Sequence, residues 1–314
     1  MPSDSAWFPR VSIIIPVYNG SNYLSLAIES ALAQTYGNIE VIVINDGSTD
    51  DGATEAIAQR FSGKIIYISK QNGGVSSALN HGIAKMSGEY FSWLSHDDIF
   101  HPDKTMIQIS YLKDHPDIEV LGSGHEVIDS KGEIRSVFTF DNPLDITSGR
   151  GAMDNWIYGC SLLIRKKVFD RVGCFNESNR TVQDLEMWLN IVYSGVTIRL
   201  IPDVLCQWRH HGESGSFSLR GAHLKEVDEF LFRISKNFPM EFFMKNPQPE
   251  IHEPLCEVYA WFANQALGRG CVSRGRKFFL ASLGATSIFD PIFWKTLRSY
   301  FQTYWAAARR IIFG

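Results

Sequence analysis

Val11-Ser-Ile-Ile-Ile-Pro-Val-Tyr-Asn19, Val41-Ile-Val-Ile-Asn-Asp-Gly-Ser-Thr-Asp50 and Tyr90-Phe-Ser-Trp-Leu-Ser-His-Asp-Asp98 decide how this chain folds. Each is an apolar run that ends in polar or acidic residues. Unbroken runs of Ile and Val read as strands buried on both faces, as in a parallel sheet covered by helices. Ligands of such sheets sit beyond the carboxyl ends of the strands. Pro16, Asp46 and Asp97 therefore mark one sheet edge as a site for a nucleotide and a metal.

Working outward, Leu24, Ala27, Ile28, Ala31 and Leu32 recur at helical spacing over 22–35, with Ser21 or Asn22 as the cap. Asp50 and Asp51 lead a second helix over about 52–61, where acidic residues suit the positive N-terminus. A strand over 64–68, the turn Asn72-Gly-Gly74, a helix over 75–86 and a strand over 90–94 continue the alternation. Regular alternation predicts an α/β fold with a Rossmann-like, mostly parallel central sheet flanked by helices. Beyond 102 the pattern changes. Helices are expected over 103–114, 166–171 and 182–194, and strands over 118–122, 125–128, 134–138, 161–165, 196–201 and 204–208, with a loop over 139–153. After Gly212-Glu-Ser-Gly-Ser216 only helical periodicity remains, over 219–237, 253–267 and 271–284. A division follows: a domain 1–216 that carries the site, and a helical C-terminal region 217–314.

Composition removes several function classes. A net charge of -4 argues against a nucleic-acid binder of the basic-patch type. No G-x-G-x-x-G follows the first strand and no G-x-x-x-x-G-K-[ST] occurs, which excludes dinucleotide and P-loop sites. Cys160, Cys174, Cys206, Cys256 and Cys271 form no C-x-x-C pair, so buried or semi-buried thiols in a reducing compartment are expected. The start MPSDSAWFPR reads without a signal peptide, and no segment reaches the roughly 18 apolar residues of a spanning helix. A cytoplasmic location is expected. The tail 291–314 carries Lys295, Arg298, Arg309 and Arg310 among many aromatics and no acidic residue. It reads either as an amphipathic helix at the inner face of the cytoplasmic membrane or as a helix packed on the domain or in a homo-oligomer.

The acidic ends carry the chemistry. Asp97 and Asp98, with His96 beside them, suit a hard divalent cation, Mg2+ or Mn2+, that also binds phosphate oxygens. Such a cation offsets charge on a departing nucleoside diphosphate. In Trp208-Arg-His-His-Gly-Glu-Ser214, Arg209 is placed to pair with phosphate, and His210, or His211 after it, to complete the metal shell. The loop that follows is expected to close over the donor and exclude water. Asp184 opens the 182–194 helix, whose dipole holds a carboxylate ionised. It is either a general base for a hydroxyl nucleophile or a capping group. Glu186 is expected to be solvated.

These linked motifs, dense from 11 to about 214, resemble the family 2 glycosyltransferases, which have the GT-A fold and use nucleotide-sugar donors. The resemblance implies that Pro16, Val17, Tyr18 and Asn19 lie under the nucleobase and that Asp46 contacts the base. It implies that Gly73 and Asn80, in Asn72-Gly-Gly-Val-Ser-Ser-Ala-Leu-Asn80, lie near the diphosphate, and that His96, Asp97 and Arg209 face the donor. Trp156-Ile-Tyr-Gly-Cys-Ser161 and Gly173-Cys-Phe-Asn-Glu177 match the acceptor side. Three positions depart from the pattern. Leu79 replaces an Arg, Ser95 replaces the first Asp of Asp-x-Asp, and Gln183 stands where Glu is common. The implied activity is inverting, metal-dependent transfer of one sugar from a nucleoside-diphosphate sugar, of UDP type, to an acceptor hydroxyl. A glycan or lipid-linked glycan of surface polysaccharide or O-antigen assembly is the implied acceptor. The departures keep open a second reading, a catalytically degenerate nucleotide- or glycan-binding partner in such an assembly. A nucleotidyltransferase is disfavoured because Val17-Tyr-Asn-Gly20 has no Lys or Arg.

Overall fold

The computed structural model describes residues 7–155, 157–212, 220–244, 255–285, 297–300 and 302–303. The chain divides into two compact units, 1–147 with 155–214, and 148–154 with 215–314.

The first unit is built on a ten-stranded sheet. Strand β1 (Val11–Val17) is buried along its whole length. It lies between β2 (Ile39–Asn45) and β4 (Tyr90–Trp93), and β3 (Ile66–Ser69) pairs with β2, all in parallel. Helices α1 (Leu24–Leu32), α2 (Ala53–Gln59) and α3 (Val75–Lys85) make the crossovers. The buried stripe of α1, Leu24, Ala27, Ile28 and Ala31, is the one its spacing predicts. Its cap is not Ser21 or Asn22. Tyr23 stands at the N-cap without a side-chain bond, and the Gly20 carbonyl accepts the amides of Tyr23 and Leu24 at 3.3 and 3.1 Å. A backbone turn thus replaces the side-chain cap. At α2 the N-cap is Gly52, at φ 82, and Asp50 reaches into the first turn, where its Oδ2 accepts the Thr54 amide at 3.0 Å and hydroxyl at 2.6 Å.

The second half of the sheet mixes directions. After β5 (Ile99–Phe100) and α4 (Lys104–Asp114) comes β6 (Val120–Ile128), then β7 (Ile134–Phe138) and β8 (Leu144–Ile146). Strand β9 (Leu163–Arg165) is antiparallel to both β4 and β6. Strand β10 (Ile198–Arg209) is parallel to β6. It follows that β6 and β10 run the same way as β1–β4, and that all their carboxyl ends reach one edge.

Where two strands were expected over 118–128, β6 is continuous. Gly122 and Gly124 do not break it. They mark close packing, since a Cβ would meet Leu200 Cδ2 and the Phe138 carbonyl, each at 2.5 Å. Likewise β10 is one strand across Pro202, which cannot donate to the ladder. Its register shifts there, between Ile201 and Val204 and again before Cys206. The expected loop 139–153 holds β8 and a short helix α5 (Gly149–Asp154). Asp145 of β8 is tied to Arg199 of β10 by two bonds of 2.6 Å.

Helices α6 (Lys167–Val172) and α7 (Gln183–Tyr193) complete the first unit. Cys160 and Cys206 are buried free thiols, whereas Cys174 is exposed.

In the second unit, α5 joins α8 (Arg220–Asn237), α9 (Leu255–Gly268) and α10 (Val272–Gly284). Phe230, Phe243 and Phe262 are fully packed there. Trp261 Nε1 donates to Asp154 Oδ1 at 2.8 Å, and Arg274 pairs with Asp228 at 2.7 Å. No helix among the described residues is long and apolar enough to cross a membrane. Trp156, the loop 213–219 and most of the basic tail lie outside the described residues.

Candidate functional site

Register brings the motifs together. Val17 stands beside Asn45, Asn45 beside Ser69, and Ile14 beside Trp93. The segments that follow these strands, 18–20, 46–49, 70–74 and 95–98, therefore meet at one edge. The first two are laced together. Asn19, at φ 51, accepts the Thr49 amide on Oδ1 at 2.7 Å and donates its own amide to Ser48 Oγ at 2.9 Å. Pro16 and Val17 are buried, while Tyr18 is 46% exposed. Of the expected base-binding turn, Tyr18 is thus the residue that offers a ring to a ligand. At Gly20 a Cβ would stand 2.3 Å from His96 Cδ2, so only glycine lets the His96 ring pack against this turn. Burial lowers the His96 pKa, with only partial opposition from the Asp97 charge, and keeps the imidazole neutral.

Asp46 has a different place from the one expected. Its side chain is buried, and its Oδ1 takes Lys70 Nζ at 2.6 Å and the Gly73 amide at 3.0 Å. Its Oδ2 takes the Gly74 amide at 2.7 Å. These bonds fill the carboxylate, so it pins the 70–74 loop and presents no free oxygen to a nucleobase. Gly47, at φ +71, permits the approach, because a Cβ there would meet the Asn72 amide nitrogen at 2.7 Å. Gly73 lies in this loop, as expected near the start of α3.

Three further expected site residues bond within the protein. The Asn80 side chain is spent on the protein. Its Nδ2 donates to the Phe175 carbonyl at 2.8 Å and Glu177 Oε1 at 2.9 Å, and its Oδ1 accepts the Phe175 amide at 2.9 Å. Arg209 is buried and its guanidinium is engaged by the chain. Nε donates to the Asp97 carbonyl at 2.9 Å and Nη1 to the Asp129 carbonyl at 3.1 Å, with the guanidinium over the Tyr23 ring. It positions Asp97. Asp98, expected beside Asp97 at the metal, is buried with both oxygens engaged: Oδ1 accepts the Arg209 amide at 2.8 Å, and Oδ2 accepts the Tyr158 hydroxyl and the Cys160 thiol. Burial, with Asp97 next to it, pushes the Asp98 pKa well up. Ser95 likewise turns to Cys160, its Oγ 3.3 Å from Sγ.

Asp97 remains at the edge, and its neighbour is His211. His211 Nε2 lies 3.0 Å from Asp97 Oδ2. His210 is exposed, donates its amide to the Ile128 carbonyl at 2.8 Å, and packs its ring near Trp208, so of the two histidines it is His211 that stands beside Asp97. Among the described residues no group of three His, Cys, Asp or Glu side chains is placed to hold a cation. An Asp–His pair 3.0 Å apart nonetheless fits neighbouring ligand positions of a hard cation, whose other positions phosphate oxygens and water commonly fill. Asp97 and His211 would hold it.

Asp184 lies in the first turn of α7, partly exposed, with Oδ1 accepting the Leu185 amide at 2.7 Å. Glu186 is not a solvated residue: its Oε2 takes the amides of Asn176, at 3.1 Å, and Asn179. Lys70 and Tyr158 join the site without a local sequence signal of their own. Lys70 follows β3 as Asp46 follows β2, a signal that the strand register carries.

Comparisons with known proteins bear on the fold and the family. Residues 12–173 match the pattern of glycosyl transferase family 2. An uncharacterized glycosyltransferase of Rickettsia felis is 48% identical over 214 residues, 66% of this chain and 35% of that protein. The chondroitin synthase of Escherichia coli is 27% identical over 259 residues, 81% of this chain and 36% of that protein. The chain thus spans about a third of the length of these relatives. Staphylococcus aureus TarS 1-349 in complex with UDP-GlcNAc superposes with TM-score 0.59 at 18% identity, covering 93% of this chain and 92% of that one. The mannosyltransferase PcManGT from Pyrobaculum calidifontis, in complex with GDP-Man and Mn2+, gives TM-score 0.58 at 16% identity, covering 98% and 88%. The shared fold is of GT-A type, and the chain belongs to glycosyl transferase family 2.

Proposed function

We propose that this chain transfers one sugar, with inversion, from a nucleoside-diphosphate sugar of UDP type to an acceptor hydroxyl, and that the first unit carries the site. Tyr18 offers its ring to the base. Asp97 and His211 would hold Mg2+ or Mn2+, which would supply positive charge to offset that of the leaving diphosphate. Asp184 takes the acceptor proton. The acceptor oxygen forms its bond to the anomeric carbon as the bond from that carbon to the diphosphate oxygen breaks, and the electron pair leaves with the nucleotide. Attack opposite the leaving group inverts the centre.

The observation that carries this reading is the Asp97–His211 pair, 3.0 Å apart at the carboxyl edge of the strands, within a family 2 chain. Similarity to a chondroitin synthase supports a glycan or lipid-linked glycan acceptor of surface polysaccharide assembly. A basic tail, Lys295 to Arg310, supports contact with the cytoplasmic face of a membrane. The inward turn of Ser95 and Asp98 favours a second reading, a degenerate binding partner, because one carboxylate is left at the edge.

The test is nucleotide release from a panel of UDP-, GDP- and dTDP-sugars with Mn2+, Mg2+ or EDTA. Release from one donor that EDTA abolishes supports the enzyme. Donor binding without release, in the presence of glycan acceptors, supports the binding partner.

A further inference from the structure

Charge is divided unevenly along the chain. Residues 258–314 hold eight Lys and Arg against one acidic residue, Asp290, whereas residues 1–257 hold 22 against 33. The net charge of -4 thus joins a strongly acidic body to a strongly basic end. Such an asymmetry makes the basic end an electrostatic surface for an anionic partner.

Helix α10 lies within that end, and α9 fixes its inner face. Gly275, Phe278, Phe279 and Ser282 are buried, and a Cβ on Gly275 would meet Leu267 Cγ at 2.8 Å. The outer stripe, Ser273, Arg276, Lys277, Leu280 and Gly284, is exposed, and steps of three and four place these residues on one helix face. Leu280 is 55% exposed, a large apolar side chain beside two cations. Neither Arg276 nor Lys277 pairs with an acidic side chain among the described residues, whereas Arg274 pairs with Asp228 of α8. The Arg274 guanidinium also lies 4.6 Å from the centre of the Phe232 ring, which is 47% exposed, and Lys236 Nζ lies 6.0 Å from it. The side of α10 towards α8 therefore adds an aromatic ring flanked by cations.

We propose that the outer face of α10, with Phe232 beside it, docks on an anionic lipid surface. The inference rests on the membrane contact in the reading above and gives that contact a second surface, apart from the tail. Arg276 and Lys277 meet headgroup phosphates, where the negative surface potential favours each cation. Leu280 and Phe232 enter the interfacial layer beneath. A polynucleotide would engage the cations alone. Lipid matches the exposed Leu280 as well, because an apolar layer lies below its phosphates.

The test is co-sedimentation of the full chain with vesicles of phosphatidylcholine, and of phosphatidylcholine mixed with phosphatidylglycerol. Three proteins are compared: wild type, Arg276→Ala with Lys277→Ala, and Lys64→Ala with Lys113→Ala. The last pair removes the same charge from exposed positions of the first unit. Wild type is expected to sediment with the mixed vesicles and not with the neutral ones. The α10 pair should lower that partition about 10-fold or more and the first-unit pair less than about 2-fold. Unchanged partition in the α10 variant, or equal losses in the two variants, overturns the inference and leaves contact through the tail standing. Equal binding of wild type to both vesicles overturns the anionic partner. Wild type that binds neither vesicle overturns both contacts, as does self-association that the α10 pair abolishes, which assigns the face to a second copy. Donor binding is measured separately, so the donor reading survives each of these results.

Discussion

Asp97 Oδ2 and His211 Nε2 lie 3.0 Å apart although 114 residues separate them in the chain. The sheet makes this pair. Strand β9 reverses direction between β4 and β6, so β10 delivers its carboxyl end to the edge where β4 ends. His211 then packs its ring 5.0 Å from that of Tyr23. Replacing His211 by Ala is expected to weaken Mn2+-dependent nucleotide binding on the order of 10-fold or more. His210→Ala should change it less than about 2-fold. Calorimetric titration of Mn2+ into each variant with UDP present measures both.

Asp46 is predicted to act through the loop it holds. Asp46→Asn removes the charge partner of Lys70 and one acceptor of the Gly73 and Gly74 amides. The expected cost is about 1–3 kcal/mol, read as a lower urea midpoint. Base selectivity among UDP, GDP and dTDP should stay as in wild type. A changed base preference at unchanged stability would restore direct contact between Asp46 and the base.

Asn80 is predicted to be a structural clamp. Asn80→Ala removes three hydrogen bonds to Phe175 and Glu177. A loss of about 2–4 kcal/mol follows, seen in chemical unfolding.

The core strands were legible because Ile and Val runs have few readings, and β1 at 11–17 and β2 at 39–45 fall on the first two apolar runs. The strand edge as a site was legible for the same reason. Side-chain direction was not. Asp97 and Asp98 are neighbours in sequence, yet one faces the edge and the other is enclosed by Tyr158, Cys160 and Arg209. Partners that distant are invisible to local spacing. Asn80 and Arg209 misled similarly: polar residues in family motifs read as ligand contacts, and their hydrogen bonds go to backbone brought in from 175 and 97. Glycine misled in β6, where it answers tight packing and ends no strand.

Acid should destabilise the first unit through His125. This residue is buried on β6, its ring stacked on Phe138, and its Nε2 has no partner among the described residues. Burial pushes its pKa down to about 4. The unfolded chain, with an ordinary value near 6.5, then binds a proton more readily than the folded one. The contribution is therefore fully present above about pH 6.5 and is lost as pH falls toward 4, by up to about 3 kcal/mol. His125→Phe is expected to flatten stability between pH 4 and 6.5 in urea unfolding.

The most direct measurement compares UDP binding, with and without Mn2+, in wild type and Asp97→Ala. Mn2+ is expected to tighten UDP binding by wild type about 10-fold or more and to have no effect on Asp97→Ala. Equal tightening in both proteins, or none in wild type, would contradict a cation held by Asp97.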